Sequence, residues 1–387
     1  MRKISLLFIV VLLILTLCGC SGKPESVEAF LIENSESMYE FGHLIFDMSA
    51  DSFLEHFALG DIVTVTIDGH ESMDMPVCTS YDDVSAGEML LRAVPGKDNI
   101  TLAINYGQIG VVLDILEETA DDTGIKYTIK NDVRFPLKMT ASLKEKDGWK
   151  DRLVLSTLVR PNHRDEYAAE LSDEEFSNFR EIRTSGIAPN ILYRSSSPIN
   201  DVLGRNKIAD ALAEKAGIRT CFNMADSEAK AADYPDFAGS YYSSMDVICC
   251  QLPAAPSSQV FSAGFAEGLR YMMAHEGPYL IHCTEGKDRT GFAAAVLELF
   301  MGASLDEVKA DYLTTYENFY AELKNGGAQL NDDMREIICS MIIKTLEYGY
   351  GIDDITSVDT QKVTEEYLCS IGLSKEELTS LRACLGE

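Results

Sequence analysis

The stretch that most constrains this chain runs from Gly277 to Phe300, GPYLIHCTEGKDRTGFAAAVLELF. Tyr279, Leu280 and Ile281 make a short apolar run bounded by Gly-Pro, the pattern of a buried strand. From Phe292 to Phe300 only Glu298 is polar, and a helix that is apolar all round is a buried helix. Between them lie His282, Cys283 and the polar run Thr284 to Gly291. The expected unit is strand, tight loop, core helix.

Such a unit makes an anion site. The first N–H groups of a helix have no internal partner, and the helix dipole adds positive potential there. A loop whose amides point inward forms a nest for a phosphate-sized dianion. Gly286 and Gly291 let backbone approach closely, having no Cβ. Cys283, at the start of the loop, sits in a field that favours a thiolate. Arg289 carries a planar fork suited to two phosphoryl oxygens. A thiolate, an amide nest and a guanidinium together describe covalent phosphoryl transfer through a phosphocysteine.

The run His282 to Gly291 matches His-Cys-x-x-x-x-x-Arg-Thr-Gly and resembles the signature of the cysteine-dependent protein tyrosine phosphatases. Rhodanese-like sulfur transferases also place a cysteine on such a loop, but the Arg-Thr-Gly ending speaks against them. The interior Gly-Lys-Asp-Arg resembles bacterial tyrosine and lipid phosphatases, and its Asp before Arg is shared with myotubularins. The resemblance covers about residues 150–387, through Tyr193-Arg194-Ser195, a helix from about Asn206 to Ala216, and Ile218-Arg219-Thr220.

The resemblance implies roles. Cys283 attacks phosphorus, while Arg289 and the amides of Thr284, Glu285, Gly286 and their neighbours hold the equatorial oxygens. Asp288 protonates the leaving oxygen, unless it serves only to pair with Lys287 or Arg289. Asp226 is the second candidate acid and Asp246 a third. Thr290 hydrogen-bonds the sulfur, and His282 orients the loop. Lys287 can reach a second phosphate. Arg194 either helps bind phosphate or makes a buried ion pair.

At the other end, Arg2 and Lys3 precede an apolar run from Leu6 to Cys18, too short to span a bilayer comfortably. It ends Leu17-Cys18-Gly19-Cys20, which resembles a bacterial lipobox; the alternatives are a plain signal peptide or a short anchor. The resemblance implies cleavage after residue 19, lipid on Cys20 and an extracytoplasmic, membrane-anchored protein. Removing residues 1–19 takes away two cations and no acids, leaving 31 basic against 62 acidic residues. That balance excludes nonspecific nucleic-acid binding and disfavours steering of polyanionic substrates.

Of ten cysteines, eight follow Cys20, and their spacing suggests no disulfide framework. No metal site and no cofactor are expected: there is no Cys-x-x-Cys, His-x-x-x-His, Walker loop or dinucleotide fingerprint.

Val63, Val65 and Ile67 alternate with threonines, the period of a half-buried strand, and Asp68-Gly69 signals a hairpin. Residues 99–105 and 125–130 read likewise, and 110–116 as strand or helix. Tyr81-Asp82-Asp83-Val84, Gly87-Glu88 and Ala103-Ile104-Asn105-Tyr106-Gly107 resemble the β-barrel domain of fluorinase-like adenosyltransferases, which implies a barrel, not an activity. A hairpin is expected from Leu137–Leu143 and Leu153–Val159. The expected organisation is a signal peptide (1–19), a tether and lead-in (20–55), a β-rich, barrel-like domain (56–148) and an α/β phosphatase-like domain with a central sheet flanked by helices (149–387).

For function, three readings compete: a phosphotyrosine or dual-specificity protein phosphatase, an inositol-phosphate or phosphoinositide phosphatase, and a noncatalytic phosphate-binding surface protein. Glu285 and the negative charge count against highly phosphorylated inositols. The nucleophile counts against a mere binding module.

Overall fold

In the computed structural model, which describes residues 26–33, 41–121, 124–153 and 155–386, the alternating threonines and aliphatics of Ile62–Ile67 form a strand with Val63, Val65 and Ile67 fully buried. The expected signal peptide and Cys20 lie outside the described residues.

The N-terminal strands are β1 (Ser26–Phe30), β2 (Leu44–Phe46), β3 (Ile62–Ile67), β4 (Met73–Cys78), β5 (Met89–Arg92), β6 (Ile100–Ile104), β7 (Leu116–Asp121), β8 (Gly124–Ile129) and β9 (Lys138–Glu145). Seven of them form one sheet in the order β1-β9-β3-β4-β5-β6-β2. Its two edges meet: Leu31 bridges Phe46, Ile32 N donates to Ile45 O at 3.0 Å, and Asp47 N donates to Phe30 O at 2.9 Å. This closure, which removes exposed edges, makes the region nearly a barrel. Strands β7 and β8 pair as a separate ribbon. Two short helices, α1 (Ala50–Leu54) and α2 (Ile109–Val112), complete the unit.

Three expectations change here. The tether and lead-in is not separate from the barrel, since β1 pairs with β9 and β2 with β6. Residues 110–116 divide between a helical turn and the start of β7. The hairpin after Trp149 does not form, because residues 150–152 and 155–157 are 3-10 turns. The Trp149 indole N–H instead donates to Asp83 O at 2.8 Å, which ties this connection to the barrel.

The second unit is α/β. Its sheet holds β10 (Arg180–Glu181), β11 (Leu192–Ser195), β12 (Thr220–Asn223), β13 (Asp246–Cys249) and β14 (Tyr279–His282), in the order β10-β11-β14-β12-β13. All but β10 run parallel, and β14 is flanked on both sides. The helices are α3 (Asp173–Ser177), α4 (Asn206–Ala216), α5 (Glu228–Ala232), α6 (Gln259–Ala274), α7 (Asp288–Met301), α8 (Leu305–Phe319), α9 (Asp332–Tyr350), α10 (Thr360–Ser370) and α11 (Lys375–Leu385). Helix α7 is buried from Thr290 to Phe300, as its composition requires. Among the described residues no helix is long and apolar enough to cross a membrane.

The barrel seats on the second unit. A Cβ at Gly87, whose φ is +83°, would come within 2.7 Å of the Tyr348 ring on α9. That close approach sets the two motifs Tyr81-Asp82 and Asn105-Tyr106-Gly107 beside the loop after β14.

Candidate active site

Cys283 directly follows the carboxyl end of β14, where open α/β sheets present their ligand crevice. The loop behind it is held by its carbonyls. Thr284 O accepts from Ser197 N at 3.1 Å, and Gly286 O from Arg194 Nη2 at 2.8 Å and Asn178 Nδ2 at 3.3 Å. The backbone N–H groups of residues 284–288 have no acceptor among the described residues. Carbonyls turned into the protein and amides left free are the wiring of an anion nest.

Both glycines serve packing rather than approach to a ligand. Gly286 has φ +68°, and a Cβ there would collide with the Ser195 carbonyl. A Cβ at Gly291 would lie 2.7 Å from the Tyr312 ring on α8.

A cavity of about 330 Å³ opens in front of the loop. Its floor includes Cys283, Thr284, Glu285, Lys287, Asp288 and Arg289, and the barrel supplies Phe41, His43, Tyr81, Asp82 and Tyr106. Cys283 is only 3% exposed, and that exposure gives onto the cavity. Arg289 Nη1 donates to Met224 O and Leu252 O, each at 3.0 Å, and Nη2 to Thr284 Oγ1 at 3.4 Å. These bonds fix the fork at the cavity floor.

Asp288 also lines the cavity, its side chain 33% exposed. Burial raises its pKa, Lys287 opposes this, and Asp82 and Glu285 push it up again, to about 6. The Tyr106 hydroxyl donates to Asp288 Oδ1 at 2.9 Å. Lys287 is buried with Nζ 2.7 Å from Asp82 Oδ2. Burial alone would lower its pKa, but the carboxylates of Asp288 and Asp82 hold it well above the ordinary value. The Glu285 carboxylate pairs with Arg160; burial pushes its pKa up, and Lys287 and Arg160 overcome this.

His282 is fully buried, Nδ1 3.1 Å from Cys283 O, and burial lowers its pKa to about 4. It is a neutral strut beside the loop. Among the described residues Thr290 Oγ1 is buried without a partner, and it makes no hydrogen bond to Cys283 Sγ.

Three expected residues lie elsewhere. Arg194 is fully buried behind the loop, paired with Asp311 and bonded to Gly286 O, so the ion-pair alternative holds and it does not face the cavity. Asp311 also takes Arg180 Nε at 2.7 Å, and the two guanidiniums overcome burial to lower its pKa to about 2. Asp226 is fully buried, engaged by Asn223, Tyr234 and Lys230, and does not line the cavity. Asp246 starts β13 opposite Thr220, at the far end of the sheet from the loop. Lys287 is committed to Asp82 rather than free for a second phosphate.

Residues that sequence reasoning did not place are Asp82, Tyr106, Arg160, Asn178, Arg180 and Asp311. The barrel motifs containing Asp82 and Tyr106 stood out in the sequence, but nothing in them announced the loop they face.

Among known proteins, an 82-residue stretch is 35% identical to a candidate tyrosine-protein phosphatase of Cupriavidus necator; it is 18% of this chain and 30% of that relative, so less than a third of that protein's length is matched. The solved core catalytic domain of a PP-IP phosphatase from S. cerevisiae, in complex with citrate, aligns at 17% identity and TM-score 0.25, covering 49% of this chain and 94% of that one. An uncharacterized conserved protein from Thermotoga maritima aligns at 20% identity and TM-score 0.23, covering 31% and 37%. Residues 171–387, more than half of the chain and including the whole Cys283 loop, match the model of the tyrosine phosphatase family, and the chain belongs to that family.

Proposed function

We propose that this protein hydrolyses phosphomonoesters through a phosphocysteine, with phosphotyrosine in proteins as the substrate class. The observation that carries this is the meeting of Cys283, Arg289 and Asp288 in one cavity, on a loop whose amides are left free. The Cys283 thiolate attacks phosphorus as the bond to the leaving oxygen breaks, and Asp288 gives that oxygen its proton. Water then attacks phosphorus, passes a proton to Asp288 and breaks the S–P bond. Inorganic phosphate leaves and the thiolate is restored.

Charge argues for one phosphate at a time. Asp82, Glu285 and Asp288 line the cavity against Lys287 and Arg289, and Lys287 is already paired. The local field therefore suits one phosphoryl group on Arg289 and the amides, not a polyphosphorylated ring. Phe41, His43, Tyr81 and Tyr106 offer flat, largely apolar surface to the group that carries the phosphate, which suits an aryl ring. We assign the protein to the outer face of a membrane, held by lipid on Cys20, on the strength of the Leu17-Cys18-Gly19-Cys20 sequence.

The test is a substrate panel of phosphotyrosine peptide, phosphoserine peptide, phosphoinositide and inositol hexakisphosphate, with chelator present. Phosphotyrosine is expected to give the highest kcat/KM. A preference for the inositol compounds overturns the substrate assignment. Wild-type turnover in Cys283→Ser overturns the mechanism.

A further inference from the structure

The barrel reaches into the reaction site through one side chain. Tyr106 stands between β6 and α2 with φ +59°, a left-handed backbone unusual for an aromatic residue. Its neighbours hold it there. Asn105 N donates to Glu88 O at 3.0 Å, Asn105 Nδ2 to Val84 O at 2.8 Å, and Gly87 N to Asn105 O at 2.8 Å. Tyr106 is 8% exposed, and its hydroxyl ends on Asp288 Oδ1. Strain maintained by a surrounding network at a cleft is the pattern of a functional constraint.

The bond sorts the two carboxyl oxygens. Oδ1 takes the tyrosine hydroxyl at 2.9 Å and faces Lys287 Nζ at 3.7 Å. Oδ2 has no partner among the described residues, in a side chain that lines the cavity.

We propose that Tyr106 is a positioning residue of the phosphatase reaction: its hydroxyl fixes the Asp288 carboxyl so that Oδ2 carries the proton to the leaving oxygen. The proposal rests on Asp288 being the general acid. With Oδ1 accepting from the hydroxyl, the acidic proton resides on Oδ2. It moves to the leaving oxygen as the P–O bond breaks, and water returns a proton to Oδ2 when the S–P bond is cleaved. The tyrosine keeps its own proton throughout; burial and the nearby Asp288 raise its pKa far above neutral. The family match begins at residue 171, so the acid is oriented from outside the matched segment. The barrel is then part of the catalytic apparatus rather than a platform.

The groups facing Asp288 are Lys287 and Glu285 from the loop, Asp82 and Tyr106 from the barrel, and Tyr312 and Tyr316 from α8. Among them Tyr106 donates to the carboxylate and favours it. Its removal shifts the titration of Asp288 upward and leaves the acid badly aimed.

The experiment compares the full chain with Tyr106→Phe, Asp288→Asn and the double variant. Each is assayed for kcat against pH on p-nitrophenyl phosphate and on an alkyl phosphate, phosphoserine. Tyr106→Phe is expected to lose roughly tenfold or more in kcat on the alkyl ester. On the aryl ester, whose leaving group needs no proton, it stays within about threefold. The falling limb of the alkyl profile moves to higher pH, and in the Asp288→Asn background the tyrosine change costs nothing further. Both esters are measured on one preparation, so partial misfolding cannot imitate the contrast. Equal losses on the two esters, an unmoved limb, or a full additional loss in the double variant overturns the proposal. If Asp288→Asn itself fails to separate the esters while Cys283→Ser is inactive, the acid assignment falls and this proposal with it, and the cysteine mechanism stands.

Discussion

Lys287 Nζ lies 2.7 Å from Asp82 Oδ2, a bond between the phosphate loop and the barrel across 205 positions of chain. It joins the two units at the cavity and neutralises the one lysine of the loop. Asp82→Asn strips Lys287 of its nearest carboxylate, leaving Asp288 at 3.7 Å and Glu285 at 4.0 Å. A loss of about 1–3 kcal/mol is expected from urea unfolding. Because Asp82 also raises the Asp288 pKa, the same variant shifts the activity profile on alkyl phosphates to lower pH.

Asp288 supplies a second pH effect. Its pKa, raised to about 6, means that the carboxyl is protonated below that pH and ionised above it, so as the proposed acid it is lost above it. Turnover of alkyl phosphates is expected to fall as pH rises through about 6, and turnover of p-nitrophenyl phosphate to respond much less. Stability carries the same sign. A carboxyl whose folded pKa exceeds its unfolded one opposes folding once ionised, so its contribution is lost as pH rises through the folded pKa. Asp288→Asn removes that penalty. Melting curves at pH 5 and pH 7.5 should show the variant gaining on wild type at the higher pH.

Gly286 admits no side chain. Gly286→Ala places a Cβ on the Ser195 carbonyl and asks a non-glycine residue to hold φ +68°. The expected result is at least about 1–2 kcal/mol of lost stability and a sharp fall in kcat/KM. Wild-type kinetics in that variant would show that the loop is not held against the end of β11.

Cys20→Ala tests the proposed anchor. In a bacterial host that lipidates such signals, the wild-type protein is expected in the membrane fraction and the variant in the soluble or secreted fraction. Equal membrane retention of both would remove the lipid from the account.

Much of the α/β unit was legible because its signals are local. Gly277-Pro278 bounds a strand at Tyr279–His282, and the unbroken apolar run after Thr290 can only be a buried helix. Gly217, at φ +66°, ends α4 where a left-handed cap is needed. In the barrel, β3 was legible by its period of two. β1 was not, because Ser26–Phe30 is too short and too polar to declare a strand until β9 lies beside it. The hairpin expected from Leu153–Val159 failed because apolar residues next to a turn signal are not enough; Trp149 anchors instead to Asp83.

By itself the sequence determined the loop on which the proposed chemistry rests. Cys283, Arg289 and the glycines between and after them lie within nine residues, and the geometry of one strand-loop-helix places them together whatever the rest of the chain does. Tertiary structure alone decided which polar groups meet that loop. It turned Arg194 into a buttress, put Asp226 in a closed hydrogen-bond network, and brought Tyr106 to Asp288 across 182 positions. The physical reason is that a hydroxyl or a carboxylate carries no periodicity. Its role is set by whatever the closed barrel and the packed helices bring within 3 Å, and no local pattern encodes that meeting.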